Sequence, residues 1–233
     1  TSSSSTDGDN CNDFIFSKAF EEDVVVSVGF DNVGEHPVLW PETSLDDYVC
    51  LVNDPRESSP LMRTYTVGCL GNVVGGNQVI YLNVDTSEMK LLTQKTLEDN
   101  KPVWMGCDVG KMFRRDVGIW DSSLFNYEGI YGTALGLTKA ERLDYHQTLM
   151  THAMLFTGVD VHDGIPRKWR VENSWGEEGV GKKGFHVMND SWFDEYMFVV
   201  AIEKKYLSSE LLSALEEEPI VLSPWDPMGS LAK

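Results

Sequence analysis

The chain has 233 residues, 42% of them hydrophobic and 11% aromatic, enough for one large or two small domains with a packed core and too apolar for a disordered chain. Asp and Glu outnumber Lys and Arg 37 to 19, and the formal charge of −18 argues against a nucleic-acid partner; the one basic run, Lys111–Arg115, is too short to override it. No apolar run approaches the roughly 18–20 residues that span a bilayer, so no membrane partner is expected.

In chain order, residues 1–12 are rich in Ser, Asp, Gly and Asn and read as a flexible leader. They have neither the basic nor the apolar region of a signal peptide, and no initiator Met. A strand entry is expected over Asp23–Phe30. Ser44 stands three residues before Asp47, the spacing of an N-cap on a short helix. Residues 63–76, "RTYTVGCLGNVVGG", read as a strand and then a turn. The "GNVVGG" within them is not a phosphate loop, because neither a helix start nor a Lys-Ser/Thr pair follows.

Residues 85–110 form the clearest helix-then-strand unit. Met89, Leu92, Thr96 and Leu97 share one helical face, and Pro102 closes the segment before a buried strand. Thr138 and Glu141 have capping-box spacing, and the helix they open is expected to end near Leu149, ahead of the strand "HAMLFTGVDV". Three further strand-like runs follow, "KWRVENSW", "GFHVM" and "YMFVVAIEKKYL", and then a helical patch in "SSELLSALEEE". A twisted antiparallel sheet or half-barrel with a helix or two outside it is the expected second half.

The cysteines at 11, 50, 69 and 107 form neither a CxxC nor a metal-ligand cluster with histidine. The settings of Cys50, Cys69 and Cys107 are apolar and strand-like, so buried free thiols in a reducing, cytoplasmic compartment are expected. No metal and no cofactor are implied.

One pairing carries chemistry. His152 opens an apolar run, and Asn173 follows 21 residues later in Asn-Ser-Trp-Gly. A cysteine hydrolase needs a thiolate, an imidazole that takes and returns its proton, and an acceptor that orients the imidazole. The thiolate already balances the imidazolium, so a neutral amide suffices as the orienting group. A Trp beside that amide shields the hydrogen bond from water. His152, Asn173 and Trp175 have these types in this order. A histidine before an apolar strand also fits a satisfied core or edge position, and Asn-Ser-Trp-Gly also fits a turn with an aromatic anchor.

"MTHAMLFTG…WRVENSWGEEG…KGFHVM" resembles the C-terminal half of papain-fold cysteine peptidases, and most closely the bleomycin hydrolase or aminopeptidase C group. Further stretches share the resemblance: "CLVNDPR" (50–56), "YTVGCLGNVVGG" (65–76), "VWMGCDVGK" (103–111), "TKAERL" (138–143) and "EEPIVLSPWDPMGSLAK" (217–233). Roughly the first forty residues do not match clearly. The resemblance implies an α+β, papain-like fold, mainly the antiparallel half-barrel lobe with flanking helices, the N-terminal lobe with the catalytic Cys being missing. It also implies His152 as catalytic base, Asn173 as its orienting group and Trp175 as active-site support.

The family's nucleophile lies in a segment resembling Gln-x-x-x-x-x-Cys-Trp, and no cysteine here has those neighbours. The chain is therefore expected to be inactive alone. It would be a piece of a longer protein, a half whose cysteine-bearing lobe is a separate polypeptide, or a relic that has lost its activity. The domain reading is a leader over 1–12, the C-terminal part of the peptidase over 13–217, and an arm directed to the active-site cleft over 218–233.

The arm, with prolines around Trp225-Asp226, reads by composition as extended rather than helical. In the family its terminal carboxylate meets a substrate's α-ammonium, which implies selection of the amino end by Leu231, Ala232 and Lys233 and makes peptides the substrates. A terminal Lys233 would crowd that pocket, whereas trimming would move the carboxylate to Ala232. The resemblance also implies a homo-oligomer, hexameric in relatives. A non-catalytic papain-fold scaffold or binding protein is the alternative.

Overall fold

A computed structural model of the chain describes residues 25–27, 44–70, 74–178 and 181–229. Strands β1 (Val25–Ser27), β2 (Tyr48–Val52), β3 (Arg63–Val67) and β4 (Tyr81–Asn83) precede helix α1 (Thr86–Glu98). Then come β5 (Val103–Cys107), β6 (Phe113–Arg114), β7 (Ile119–Trp120) and the short helices α2 (Tyr127–Tyr131) and α3 (Lys139–Asp144). The remainder comprises β8 (His152–His162), β9 (Ile165–Glu172), β10 (Phe185–Asn189), α4 (Asp190–Tyr196), β11 (Met197–Glu203), α5 (Ser209–Ala214) and β12 (Ile220–Leu222). No helix among the described residues is long and apolar enough to cross a membrane.

The strands form one sheet in the order β12-β3-β4-β2-β11-β5-β8-β9-β10-β7-β6, with β1 added beside the far half of β8. The central run β11-β5-β8-β9-β10 is antiparallel as expected. The sheet as a whole is mixed, however: β2–β4, β3–β12 and β7–β10 are parallel pairs. Short strands brought together from distant segments make those three pairs, and no local pattern marks them.

Alternation along the strands separates two apolar clusters. Val200 points into the larger one, with Met105, Phe156, Trp169, Trp192 and Phe193, and α1 lies over it against β8 and β11. Asp85 caps α1 by accepting from the Ser87 amide at 2.8 Å. Met89, Leu92, Thr96 and Leu97 are all buried, as their spacing requires. Burial of each apolar side chain among them contributes about 1.5–3 kcal/mol. Neighbouring Val199 points into the smaller cluster, with Val52, Tyr65, Tyr81, Phe198, Leu143 of α3 and Met228 of the C-terminal arm.

Gly106 sits between the strands at the edge of that second cluster. A Cβ there would lie 2.2 Å from the Met150 sulfur and 2.7 Å from a Val199 methyl. Only glycine lets Met150 fold down onto β5, two residues before His152.

Ser44 does cap a short element, a 3-10 turn over Leu45–Asp47 that passes directly into β2. Helix α3 has the expected capping box but ends at Asp144, five residues before the expected stop. His146 adopts a left-handed φ of 52°, with its amide bonded to Leu143 O and that of Gln147 to Arg142 O, a Schellman closure. With histidine where glycine usually stands, the stop carried no sequence signal. Beyond it Thr148 is buried and donates to Asp108 at 2.7 Å, which commits the chain to an extended approach to His152. At the other end of α3, buried Lys139 donates to Asn53 Oδ1 at 2.8 Å and to Met197 O at 2.7 Å, and desolvation by burial brings its ammonium down to about 7.

The thiols need one correction. Cys107 is buried and Cys50 half-buried, but Cys69 is exposed, because β3 has ended and Cys69 turns the chain with φ of 61°. Cys11, the leader over 1–12 and Leu231, Ala232 and Lys233 lie outside the described residues. Of the strand entry expected over Asp23–Phe30, β1 is the part described.

Candidate active site

His152 is the first residue of β8, and Asn173 follows the last residue of β9. These strands are antiparallel neighbours, so the start of one meets the end of the other. The imidazole Nε2 lies 2.9 Å from Asn173 Oδ1. An amide oxygen only accepts, so Nε2 carries the proton and Nδ1 is left as the basic nitrogen of the neutral ring. Asn173 is itself held: it is 7% exposed, and its backbone N–H donates to Gly184 O at 3.1 Å. Its Nδ2 is buried with no partner among the described residues.

Trp175 covers the pair. Its indole stacks on the His152 ring with centroids 4.9 Å apart and planes 28° from parallel. The indole is steadied by Phe113, 5.9 Å away, and by the Arg115 guanidinium over its face at 5.2 Å. His186 meets it edge-on at 6.4 Å. These supports come from "KMFRRDVGIW" and "GFHVM". "GFHVM" is among the stretches that carry the family resemblance, but nothing in either stretch singles out a residue of the site, and Arg115 belongs to a run that reads only as a short basic patch. Two aromatics on the two-residue strands β6 and β7, Phe113 and Trp120, stack at 4.4 Å and build the wall behind Trp175.

His186 is fully buried against Trp120, with ring centroids 4.9 Å apart. Its Nδ1–H donates to Gly184 O at 3.2 Å, while Nε2 has no partner among the described residues. Desolvation by burial, reinforced by Arg115, brings the imidazole down to about 4, so it is neutral near pH 7.

Cys107 lies directly opposite His152 in the β5–β8 pairing. Its thiol is fully buried, and desolvation, with Asp108 adding to it, pushes its pKa well above the ordinary value. A nucleophile must be a thiolate, and this environment holds the sulfur protonated. Burial also raises the Cys50 thiol. A cavity of about 970 Å³ lined by Lys111, Tyr127, Arg142 and Glu195, among others, lies apart from this centre, with none of His152, Asn173 or Trp175 in its wall.

Comparison with known proteins agrees with the sequence resemblance. Residues 38–229 match the model of the Peptidase C1-like family. Aminopeptidase C of Listeria innocua serovar 6a is 46% identical over 193 residues, covering 83% of this chain and 44% of that protein. Bleomycin hydrolase of Gallus gallus is 47% identical over 197 residues, covering 83% and 43%. Among solved structures, PepW from Lactobacillus rhamnosis HN001 superposes with a TM-score of 0.78 at 48% identity, over 80% of this chain and 42% of that one. The chain thus spans less than half the length of the curated relatives it matches. It belongs to the Peptidase C1-like family, alongside the aminopeptidases C and bleomycin hydrolases.

Proposed function

We propose that this chain is the C-terminal portion of a cysteine aminopeptidase of bleomycin hydrolase type, acting on the amino ends of peptides. The observation that carries the reading is the 2.9 Å contact of His152 Nε2 with Asn173 Oδ1 beneath the stacked Trp175 indole. Residues 13–217 would form the peptidase portion and 218–233 the arm directed to the cleft. The attacking sulfur comes from an N-terminal lobe, in the same or a separate polypeptide, and the working assembly is a homo-oligomer. Free protonated thiols at Cys50 and Cys107 suit a reducing, cytoplasmic setting.

In this mechanism His152 rests as an imidazolium, with Nε2–H on Asn173 and Nδ1–H toward the thiolate. The thiolate attacks the scissile carbonyl carbon, and Nδ1 gives its proton to the leaving amine as the C–N bond breaks. The acyl-enzyme is then hydrolysed by a water whose proton returns to Nδ1. Asn173 keeps the ring in one orientation throughout, and Trp175 keeps water off the bond that holds it. Residues 231–233 select a free amino end, so that binding energy is gained only when that end sits at a fixed distance from the sulfur.

The experiment supplies the missing part. The chain alone is expected neither to turn over an aminoacyl-coumarin nor to react rapidly at one cysteine with an E-64-type epoxide. Joined to a lobe carrying a Gln…Cys-Trp segment, it should do both. Rapid selective labelling of Cys11, Cys50, Cys69 or Cys107 in the isolated chain would overturn the assignment. An inert completed protein would favour the alternative, a non-catalytic scaffold.

A further inference from the structure

Two stretches that carry the family likeness, "CLVNDPR" and "EEPIVLSPWDPMGSLAK", take no part in the His152–Asn173 pair, yet the fold brings them together. Arg56 is 9% exposed and grips two carboxylates. Its Nε and Nη2 donate to Asp54 Oδ1 and Oδ2 at 2.9 and 2.7 Å. The same Nη2 donates to Asp226 Oδ1 and Oδ2 at 2.9 and 3.1 Å. Asp54 is in turn fixed by its backbone N–H, which donates to Asn83 Oδ1 at 2.8 Å. Asp226 also accepts from the Met228 amide at 2.9 Å, so the clamp closes a turn that drives Met228 into the second apolar cluster. There Met228 lines a narrow apolar crevice, too small to hold a water, together with Met150, two residues before His152.

Pairing of β12 with β3 cannot set this arm's register alone. Ile220, Val221 and Leu222 are interchangeable apolar residues, the first two of them exposed, and such a strand slips at little cost. Slippage by one residue at the clamp would put Trp225 or Pro227 opposite Arg56. A nearly buried guanidinium would lose an anion, and Met228 would leave the second apolar cluster. The same slip displaces the chain that follows the clamp by up to one residue's span, roughly 3.3–3.6 Å, which is enough to make or break a hydrogen bond to an ammonium.

We propose that Asp54, Arg56 and Asp226 form a positioning clamp that registers the C-terminal arm against the start of β8, and so sets how residues 231–233 meet the amino end of a peptide substrate. This inference rests on the amino-end selection proposed above.

The test uses the enzyme completed by its cysteine-bearing lobe. Asp226→Asn keeps an acceptor for the Met228 amide and removes the charge; Asp226→Glu keeps the charge. In Asp226→Asn, amide exchange at Met228 and Gly229 should accelerate at least about tenfold, with the β8 amides unchanged. KM for a free-amino aminoacyl-coumarin should rise about tenfold with kcat within about twofold, because selection is lost and chemistry is not. Hydrolysis of the N-acetylated analogue relative to the free amine should rise in parallel, and Asp226→Glu should recover most of both effects. A purely structural role would instead lower active enzyme for both substrates and leave their ratio unchanged, which overturns the proposal. Unchanged exchange in Asp226→Asn overturns it as well. Deletion of residues 231–233 separates the two readings. If the deletion shifts the substrate ratio and Asp226→Asn does not, the clamp alone falls. If the deletion leaves the ratio unchanged, amino-end selection fails and the clamp's role in it fails too.

Discussion

The imidazole of His152 and the indole of Trp175 lie face to face, 4.9 Å apart, and the hydrogen bond from His152 to Asn173 runs beneath that cover. A hydrogen bond removed from water is electrostatically stronger than one that water can contest. In the completed enzyme, Trp175→Ala should therefore lower kcat/KM by about tenfold, equivalent to about 1.4 kcal/mol. Trp175→Phe, which keeps a ring over the pair, should retain most of the activity. Steady-state kinetics on an aminoacyl-coumarin compares the two, and equal losses would show that the aromatic cover is not what matters.

Replacement of the pair itself should separate proton transfer from orientation. His152→Ala should abolish turnover. Asn173→Ala should slow it by about tenfold to a hundredfold, since the thiolate still holds the ring by its charge. Complete loss in both variants, in protein whose near-ultraviolet circular dichroism is unchanged, would assign Asn173 a role other than orienting the ring.

His186 makes stability sensitive to acid. Its folded-state pKa of about 4 is below the ordinary 6.5, so as pH falls through that window the unfolded chain takes up a proton that the folded chain refuses. Stability contributed by the neutral ring is complete above pH 6.5 and is lost progressively down to about pH 4, a loss on the order of 3 kcal/mol. His186→Phe should flatten that part of the profile, as read from urea midpoints at pH 7 and 4.5. An unchanged slope would place the acid sensitivity elsewhere.

The left-handed His146 is exposed, and its side chain makes no hydrogen bond or ion pair among the described residues. His146→Gly relieves the strain of φ 52° at the end of α3. It should stabilise the chain by about 0.5–1 kcal/mol, visible as a higher midpoint in thermal unfolding, with no effect on turnover.

What could be read in advance was whatever is written locally. The buried face of α1, the Thr138–Glu141 capping box and the strands around His152 and Trp169 follow from spacings within a few residues. The meeting of His152 with Asn173 was legible through the residue types in their order and through family resemblance. Contacts between distant segments were not legible. Arg56 and Asp226 are 170 residues apart, and nothing near either one identifies its partner. Phe113, Arg115 and His186 meet Trp175 from other segments, with Trp120 behind Phe113; Phe113 and Trp120 lie on two-residue strands too short to show a period, and Arg115 lies just past the first of them. The end of α3 was missed because histidine occupies a site where glycine is the usual stop, and the exposure of Cys69 because a turn interrupts an apolar run.

Met150 packs down on Gly106 and, together with Met228, lines the same small apolar crevice. The segment ahead of His152 and the tail of the chain thus pack against one shared sulfur-bearing side chain. A larger residue at 106 would have to be answered by a smaller one at 150, and that in turn by more bulk at 228. Packing at these three positions is therefore coupled, though none of them belongs to the His152–Asn173 pair.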